Sequence, residues 1–363
     1  MTDSVSARGR DGDKAPTIEQ VAALAGVSTA TVSRVVSGRD GVRDVTRARV
    51  EQAIAATGWT ADPSARQLAG GRGDEVVLAV AVPDRREFGT DPYYARVLAG
   101  ASEEAARQGL SLCVHVAPLG ELPGLTPFRR GRRYVGAVIV NASAQEAVFL
   151  AGLDRPVVSM GDLGTAVPSV DPENIAGATR AAGHLLIQGR QRIATIAGPR
   201  WNPCSRERLA GYRSCIRAAG RPEVLVSADF NRVSAAAAAR RLLQACPDLD
   251  AIFVASDLMA TAVLQVLIAS GRRVPDDVAV VGFDDSPPAQ MTTPALSTVH
   301  QPVEALASLA VRTLADPPGS RPRDQRMPTH LVVRASSDPP VPASTVPAST
   351  VRRPARYREP FSS

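Results

Sequence analysis

Apolar residues recur at helical spacing in two short segments between Thr17 and Gly38. The first segment carries apolar residues at the i, i+3, i+4 and i+7 positions of one buried helical face: Ile18, Val21, Ala22 and Ala25. Thr17 and Gln20 form the sequence pattern of a capping box, which predicts that a helix begins after Thr17. Gly26 can adopt the positive φ at which a chain leaves a helix, and Ser28 is a favourable N-cap. The pattern predicts two short helices joined by a tight turn.

The second of these helices has two different faces. Its apolar positions are Val32, Val35 and Val36. The opposite face carries small or hydrogen-bonding side chains and one long arginine: Thr29, Ala30, Ser33 and Arg34. Such a helix can enter the major groove of DNA, where its first residues meet base edges and an arginine suits guanine. The same pattern also fits an ordinary helix pair whose outer face is solvated.

A third helix is predicted from about Asp44 to Thr57, and it stops at Gly58. Its apolar positions are Val45, Val50, Ala53 and Ile54. Trp59 is expected to pack back onto a core formed by the three helices. The next segment, 61–73, is rich in glycine, and its composition alone favours a plain linker.

From Glu75 onward, short apolar runs alternate with helical patterns. The run 76–82 is typical of a strand that is buried on both faces. Further strands are predicted at 110–116, 135–140, 156–160, 192–196, 223–227, 251–255, 278–283 and 327–335, and helices at 92–108, 174–188, 206–219, 234–245 and 257–270. Alternating strands and helices predict doubly wound parallel sheets with helices on both faces, and about ten strands exceed one compact unit.

The helix pair, the third helix, the linker and the strand-helix body together resemble the LacI/GalR family of bacterial transcription regulators. The resemblance implies an N-terminal all-α helix-turn-helix DNA-binding domain and an α/β periplasmic-binding-protein-like effector domain of two doubly wound parallel-sheet subdomains. The expected order is a disordered arm (1–15), the helix-turn-helix domain (16–60), a hinge helix and linker (61–74), a two-lobed ligand-binding and dimerisation domain (75–337) and a disordered tail (338–363). Residues 75–170 and the segment after Thr298 are expected to form one lobe.

The resemblance also implies which residues meet DNA. In the head these are Thr17, Ser28, Thr29, Ala30, Thr31, Ser33 and Arg34. In the linker, Ala65, Arg66 and Leu68 match the family's A-R-x-L pattern, in which the leucine is an apolar wedge that kinks DNA from the minor groove. Ala61 and Asp62 depart from the family's proline and asparagine, although Pro63 can still open a short helix.

Ligands of open α/β sheets bind beyond the carboxyl ends of strands, so residues that follow strands are candidates for an effector site. By resemblance, Arg206 of the R-x-R-L-A-G-Y segment and Asp284 hold ligand oxygens, since a guanidinium group donates and a carboxylate accepts. The full predicted ligand-binding set is Tyr93, Trp201, Arg206, Phe230, Ser256 and Asp284. Tyr93 and Tyr94 can either stack on a sugar ring or fill the packing face of their helix.

Three further polar residues near this site have alternative interpretations. Asp257 is expected to be a helix N-cap. Asp171 and Asn174 resemble the family's V-D-N segment with two extra residues, and a capping role is favoured for Asn174.

The amino-acid composition is that of a globular protein and is compatible with binding to nucleic acid. With 44% hydrophobic and 21% charged residues the chain is an ordinary globular protein, and its net charge of +6 and pI near 9.6 fit a polyanionic partner. Because Lys14 is the only lysine, the basicity is nearly all arginine and reflects genome composition at least in part. The four cysteines are widely spaced, so reduced thiols and no metal site are expected. The absence of an apolar signal core and of any run near ~20 apolar residues predicts a cytoplasmic protein.

The expected function is sequence-specific transcription regulation, with repression favoured over activation. The expected partners are double-stranded operator DNA, a sugar-like small-molecule effector and a second copy of the chain, with no membrane and no cofactor. The C-terminal segment lacks leucine heptads, which favours a dimer over a tetramer. A transporter's solute-binding protein is the main alternative, because it shares the two-lobed fold. An enzyme is the weaker alternative, since no nucleophile or phosphate-loop motif is present.

Overall fold

The computed structural model describes residues 16–36, 41–59, 73–121, 134–143, 155–316 and 322–338, with single residues between 145 and 152. The predicted N-terminal arm, nearly all of the C-terminal tail, and the predicted DNA contacts Ala65 and Leu68 lie outside the described residues.

Three helices form the N-terminal head: α1 (Ile18–Ala25), α2 (Thr29–Val36) and α3 (Asp44–Thr57). As predicted, Gly26 leaves α1 in the left-handed conformation, at φ 61°. A guanidinium nitrogen of Arg49 on α3 donates to the carbonyl oxygen of Ala25 at 2.5 Å, which ties α3 to the turn. The turn between α1 and α2 is therefore fixed by backbone conformation and by a tertiary hydrogen bond.

The core of the head is small and aliphatic: Val21, Ala22, Ala25, Val32, Val35, Val50 and Ala53, with Trp59 packed against it as expected. Val45, one of the apolar positions of the predicted third helix, lies outside this core, because 75% of the residue is exposed. Five residues along a helix turn the side chain by about 140° beyond a full turn, so Val45 points away from the face that buries Val50.

The body contains twelve strands and eight helices among the described residues. The first part comprises β1 (Glu75–Val82), α4 (Arg85–Phe88), α5 (Pro92–Arg107), β2 (Ser111–Pro118), β3 (Tyr134–Val140), β4 (Val157–Met160) and β5 (Ser169–Pro172). The second comprises α6 (Asn174–Ile187), β6 (Ile193–Ala197), α7 (Pro203–Ala218), β7 (Val224–Ser227), α8 (Arg232–Ala245), β8 (Ala251–Val254), α9 (Asp257–Ala269), β9 (Ala279–Asp284), α10 (Pro287–Met291) and β10 (Ser297–His300). Last come α11 (Val303–Ala315), β11 (Asp324–Met327) and β12 (His330–Val332).

These strands form two six-stranded sheets with the same internal order. The first lobe is built on the sheet β2-β1-β3-β4-β5-β11, in which every neighbouring pair is parallel. The second lobe is built on β7-β6-β8-β9-β10-β12, in which only β12 runs antiparallel to its neighbour. Two doubly wound parallel sheets were predicted, and this architecture is confirmed. Each sheet reverses its strand order beside its first strand, which places a ligand crevice at the carboxyl ends of the strands.

Within the described residues the chain passes between the lobes three times: after β5, after β10 and after β11. The prediction that the whole segment after Thr298 belongs to the first lobe is correct for α11 and β11 but wrong for β12. The single predicted strand 327–335 is divided because Pro328, which has no N–H to donate, lies at the crossover between β11 and β12. β11 contains one apolar residue and β12 contains two, so no apolar run predicts which sheet either strand joins.

Helix packing in each lobe depends on one glycine. A Cβ atom on Gly100 of α5 would overlap the carbonyl oxygen of Glu304 on α11. A Cβ atom on Gly211 of α7 would overlap the carbonyl oxygen of Ile175 on α6. These glycines let helix backbones approach closely, and α6 and α7 are the helices that carry several of the cleft residues.

Candidate functional site

The two lobes face each other across a cleft of about 770 Å³, a volume that includes the part open to solvent. The cleft lies where strands β3, β5, β8 and β9 end, as the topology requires. Its polar lining comes from both lobes and one crossover: Asp91, Tyr93, Tyr94, Asn141, Asp171, Asn202, Cys204, Arg208, Ser256, Asp284 and Gln301. Such a lining offers many hydrogen-bond donors and acceptors around a few aromatic rings.

Arg208 is the buried cation of the cleft, with only 4% of its surface exposed. Its Nε donates to Asn174 Oδ1 at 2.9 Å, and its Nη1 donates to the carbonyl oxygen of Ala255 at 2.6 Å. The same Nη1 lies 3.4 Å from Asp284 Oδ1. These partners fix the guanidinium plane, so the arginine is held in position before any ligand arrives.

The prediction that Arg206 reaches the cleft is wrong. Arg206 is exposed, and its Nη1 donates to the carbonyl oxygen of Trp201 at 3.3 Å. Two residues along a helix turn the side chain by about 200°, so the two arginines of R-x-R lie on opposite faces of α7. Arg208 shares the buried face with Gly211 and Tyr212, three and four residues later. That spacing was the sequence signal which identifies Arg208 as the inward arginine.

Asp284 lies at the end of β9 with 8% of its surface exposed. Its Oδ1 accepts a hydrogen bond from Gln301 Nε2 at 2.6 Å, in addition to the contact with Arg208. Burial raises the pKa of the Asp284 carboxyl, and the Arg208 guanidinium opposes this rise. The residue has a φ of 125°, which is uncommon for a side chain larger than glycine. The predicted carboxylate therefore does line the cleft, and its backbone conformation is strained.

Two further carboxyl groups of the first lobe face the cleft. Asp91 caps α5 by accepting a hydrogen bond from the backbone N–H of Tyr93 at 2.9 Å. Withdrawal from water raises the pKa of Asp91 to about 7, and the nearby charge of Asp284 adds to the rise. Burial likewise raises the pKa of Asp171 to about 7, with a further contribution from Glu207. Both groups can change protonation state near neutral pH.

Asn174 does not cap a helix, contrary to the prediction. It is the first residue of α6 and is fully buried. Its Nδ2 donates to Asp171 Oδ1 and to Glu207 Oε2, each at 3.0 Å, while its Oδ1 accepts from Arg208. The amide therefore connects two carboxylates with the cleft arginine.

Some of the aromatic residues that the sequence predicts for the effector site lie in the cleft, and one does not. Tyr93, Tyr94 and Phe230 line the cleft, with the two tyrosine rings 5.6 Å apart and nearly perpendicular. Tyr94 is buried, and its hydroxyl accepts from Asn141 Nδ2 at 3.3 Å. Trp201 is half-buried and does not line the cleft.

Ser256 lines the cleft as predicted and also caps α9, because its Oγ accepts from the N–H of Met259 at 3.3 Å. The capping role predicted for Asp257 is therefore filled by its neighbour. Asp257 is instead fully buried and accepts from Thr298 Oγ1 at 2.6 Å and from the N–H of Ser286 at 2.8 Å.

Sequence reasoning missed an amide pair that joins the two lobes across the cleft. Asn202 Nδ2 donates to Asn141 Oδ1 at 2.5 Å. Asn141 follows β3 directly and adopts a φ of 63°, and Asn202 caps α7 by accepting from the N–H of Cys204 at 3.0 Å. The rule that ligand residues follow strands would have identified Asn141.

Most of the DNA-contacting residues that the sequence predicts in the head are exposed. Thr17, Thr29, Ala30 and Arg34 are exposed, whereas Thr31 and Ser33 are half-buried. Exposed Ser28 caps α2, because its Oγ accepts from the N–H of Thr31 at 3.2 Å. The outward face of α2 is therefore small and polar at its start and cationic one turn later.

The described residues contain no group of three or more His, Cys, Asp or Glu side chains that could hold a metal ion. In the same part of the chain, no helix has the length and apolar character needed to cross a membrane.

Comparison with known proteins identifies the family of the N-terminal head and of the two-lobed body. Residues 17–62 match the family described as "Bacterial regulatory proteins, lacI family", and residues 182–337 match "Periplasmic binding protein-like domain". The HTH-type transcriptional regulator CelR of Thermobifida fusca is 40% identical over 334 residues, which are 88% of this chain and 98% of CelR. The chain belongs to the lacI family of bacterial regulatory proteins. It is accordingly a DNA-binding transcription regulator.

Other members of the lacI family agree in sequence and in fold. The ribose operon repressor of Halalkalibacterium halodurans is 31% identical over 328 residues, covering 88% of this chain and 97% of that protein. A structure described as a transcriptional regulator CelR-cellobiose complex superposes with a TM-score of 0.68 at 37% identity, over 89% of this chain and all of that one. The lac repressor dimer bound to operator and the anti-inducer ONPF superposes with a TM-score of 0.77 at 26% identity, over 89% of this chain and 99% of that one.

Proposed function

We propose that this chain represses transcription as a homodimer that binds a near-palindromic operator and releases it when the cleft takes up a neutral sugar. The observation that carries the proposal is the buried pair of Arg208 and Asp284, which supplies a fixed donor fork and an acceptor at the carboxyl ends of the strands. A guanidinium group and a carboxylate together suit neighbouring hydroxyl groups, which both donate and accept.

The first candidate for the effector is cellobiose. The relative with 40% identity is CelR, and a CelR structure contains cellobiose. The cleft supports a disaccharide through polar residues from both lobes and through the rings of Tyr93 and Phe230, which can cover the apolar faces of sugar rings. The ligand-binding residues that we propose are Tyr93, Phe230, Arg208, Ser256, Asp284 and Asn141.

The head is proposed to read DNA through α2, with Ser28, Thr29, Ala30, Thr31, Ser33 and Arg34 in the major groove and Thr17 at the start of α1 near the backbone. Ala65 and Leu68 are proposed to enter the minor groove of the operator. The proposed domain boundaries remain those inferred from the sequence. A regulator of this kind works in the cytoplasm, where DNA is, and returns its effector chemically unchanged.

The test begins with selection of operator sequences from random duplex DNA by the purified full chain. Fluorescence anisotropy on the selected operator then gives the affinity with and without 10 mM cellobiose, with maltose as an isomeric control. We expect operator binding in the nanomolar range to weaken at least about tenfold with cellobiose alone, in line with an allosteric coupling of ~1–3 kcal/mol. Failure to enrich any sequence would exclude DNA-binding regulation, and an unchanged affinity would exclude cellobiose as the effector.

A further inference from the structure

An ion pair connects the two lobes beside the cleft. Arg326 on β11 of the first lobe donates from both terminal nitrogens to the two carboxylate oxygens of Glu207 on α7 of the second lobe, each at 2.8 Å. This bidentate geometry is the strongest arrangement that an arginine and a carboxylate form. Neither residue lines the cleft.

The arginine also neutralises acids on both sides of the gap. Arg326 lies 3.8 Å from Asp171 and 3.5 Å from Asp162, which belong to the first lobe. Burial raises the pKa of Asp171, and the like charge of Glu207 in the other lobe adds to the rise. Without the guanidinium group, like charges would favour separation of the lobes at this point.

The ion pair is linked to the cleft through one buried amide. Glu207 Oε2 accepts from Asn174 Nδ2 at 3.0 Å, and Asn174 Oδ1 accepts from Arg208 Nε at 2.9 Å. Asn174 therefore contacts both Arg208 and Glu207, so a change in the position of Arg208 would be transmitted to Glu207 through this amide. The series runs without interruption from Arg326 to the residue that we propose to bind the effector.

We infer that Arg326 and Glu207 form an ionic latch that holds the lobes closed, and that Asn174 is a positioning residue which couples the latch to Arg208. The coupling rests on the proposed function, since it concerns the affinity of the same cleft for its effector. The latch itself does not, because it concerns the separation of the lobes in the free protein.

The latch is tested in the full chain without ligand by small-angle X-ray scattering. Arg326→Gln removes the cation, and Arg326→Lys keeps the charge but loses the bidentate geometry. Arg213→Gln is the matched control, because Arg213 pairs with Glu223 at 2.6 Å inside the second lobe with similar side-chain exposure, 36% and 27% against 34% and 20%. We expect the radius of gyration to increase for Arg326→Gln, less for Arg326→Lys, and to stay unchanged for Arg213→Gln. An unchanged radius for Arg326→Gln overturns the latch.

The coupling is tested by isothermal titration with cellobiose. We expect Arg326→Gln to raise the Kd about 5- to 50-fold, within the range typical of allosteric coupling, with Arg213→Gln unchanged. Asn174→Ala removes the side chain that connects Glu207 with Arg208. Adding Arg326→Gln to this variant should therefore raise the Kd little further. If the two substitutions instead raise the Kd by the product of their separate effects, the positioning role of Asn174 is overturned. Asn174→Ser, which keeps a small polar side chain but is too short to bridge Glu207 and Arg208, replaces Asn174→Ala if that variant does not fold. If the unaltered chain binds no cellobiose, the proposed effector and its coupling fail, while the scattering result still decides the latch.

Discussion

The guanidinium carbon of Arg208 lies 3.7 Å from the centre of the Phe283 ring, and Asp284, the next residue on β9, pairs with the same guanidinium group. One short segment of β9 therefore supplies both a stacking surface and a counter-charge to the arginine. A flat, delocalised cation can stack on the ring and still donate to the carboxylate, whereas a lysine ammonium group has no planar face to stack and fewer donors in a fixed geometry.

This relationship predicts the outcome of two matched substitutions on α7. Arg208→Lys should weaken cellobiose binding by about 10- to 100-fold, because it removes at least one charge-assisted hydrogen bond of ~1.5–3 kcal/mol. Arg206→Lys, on the exposed face of the same helix, should bind as the unaltered chain does. Titration calorimetry on both variants measures this difference. An equal loss of cellobiose affinity in the two variants would show that Arg206 also contributes to the binding site.

The sequence predicted those features of the fold that depend on residues close together in the chain. The capping box at Thr17, the turn at Gly26 and the long alternation of strands and helices needed only short-range patterns, and the fold followed. The side of a helix that faces the cleft depends on tertiary packing. For that reason the motif R-x-R did not distinguish Arg206 from Arg208, although their spacing to Gly211 could have done so. The role of Asn174 depends on carboxylates from two lobes, which no short-range pattern brings together.

The second prediction concerns pH and the carboxyl group of Asp91. Its pKa is about 7 in the folded chain, against an ordinary value of 3.8. The folded protein therefore binds a proton that the unfolded chain releases between these values, so this group's stabilisation is complete below pH 4 and is lost as pH rises through 7. Asp91→Asn cannot titrate but keeps the N-cap, since asparagine caps as well as aspartate.

The melting temperatures of Asp91→Asn and the unaltered chain, measured by differential scanning calorimetry, should accordingly be closest near pH 4 and should diverge as the pH rises toward 7. At pH 8 the variant should melt higher by several degrees, because a pKa raised from 3.8 to about 7 corresponds to ~4 kcal/mol of lost stabilisation and each 1 kcal/mol shifts the melting temperature of a domain of about 200 residues by about 2–4 °C. A difference that is constant across this range would mean that Asp91 does not titrate there.

The third prediction compares two helical glycines at the α6–α7 contact. Gly211→Ala should destabilise the body by ~1–3 kcal/mol, because the new Cβ would overlap the carbonyl oxygen of Ile175 and force the helices apart. Gly183→Ala should stabilise it by ~0.4–1 kcal/mol, since the nearest atom, Cys215 Sγ, would lie at an ordinary 3.8 Å. Urea unfolding followed by circular dichroism measures both values. Destabilisation of equal size would show that α6 and α7 are not in the contact described.

The last prediction concerns the base that Arg34 reads. Arg34 is exposed on α2, one turn after the polar residues that begin the helix. If its guanidinium group donates to guanine, Arg34→Ala should reduce discrimination at one base pair of each half-site by about 5- to 150-fold, or ~1–3 kcal/mol. Arg47→Ala removes the same charge from α3 and should weaken binding to all sequences alike. Anisotropy with the selected operator and its single-base variants, at two salt concentrations, separates the two effects. A uniform loss in Arg34→Ala, with a reduced salt dependence, would assign Arg34 to the phosphate backbone instead.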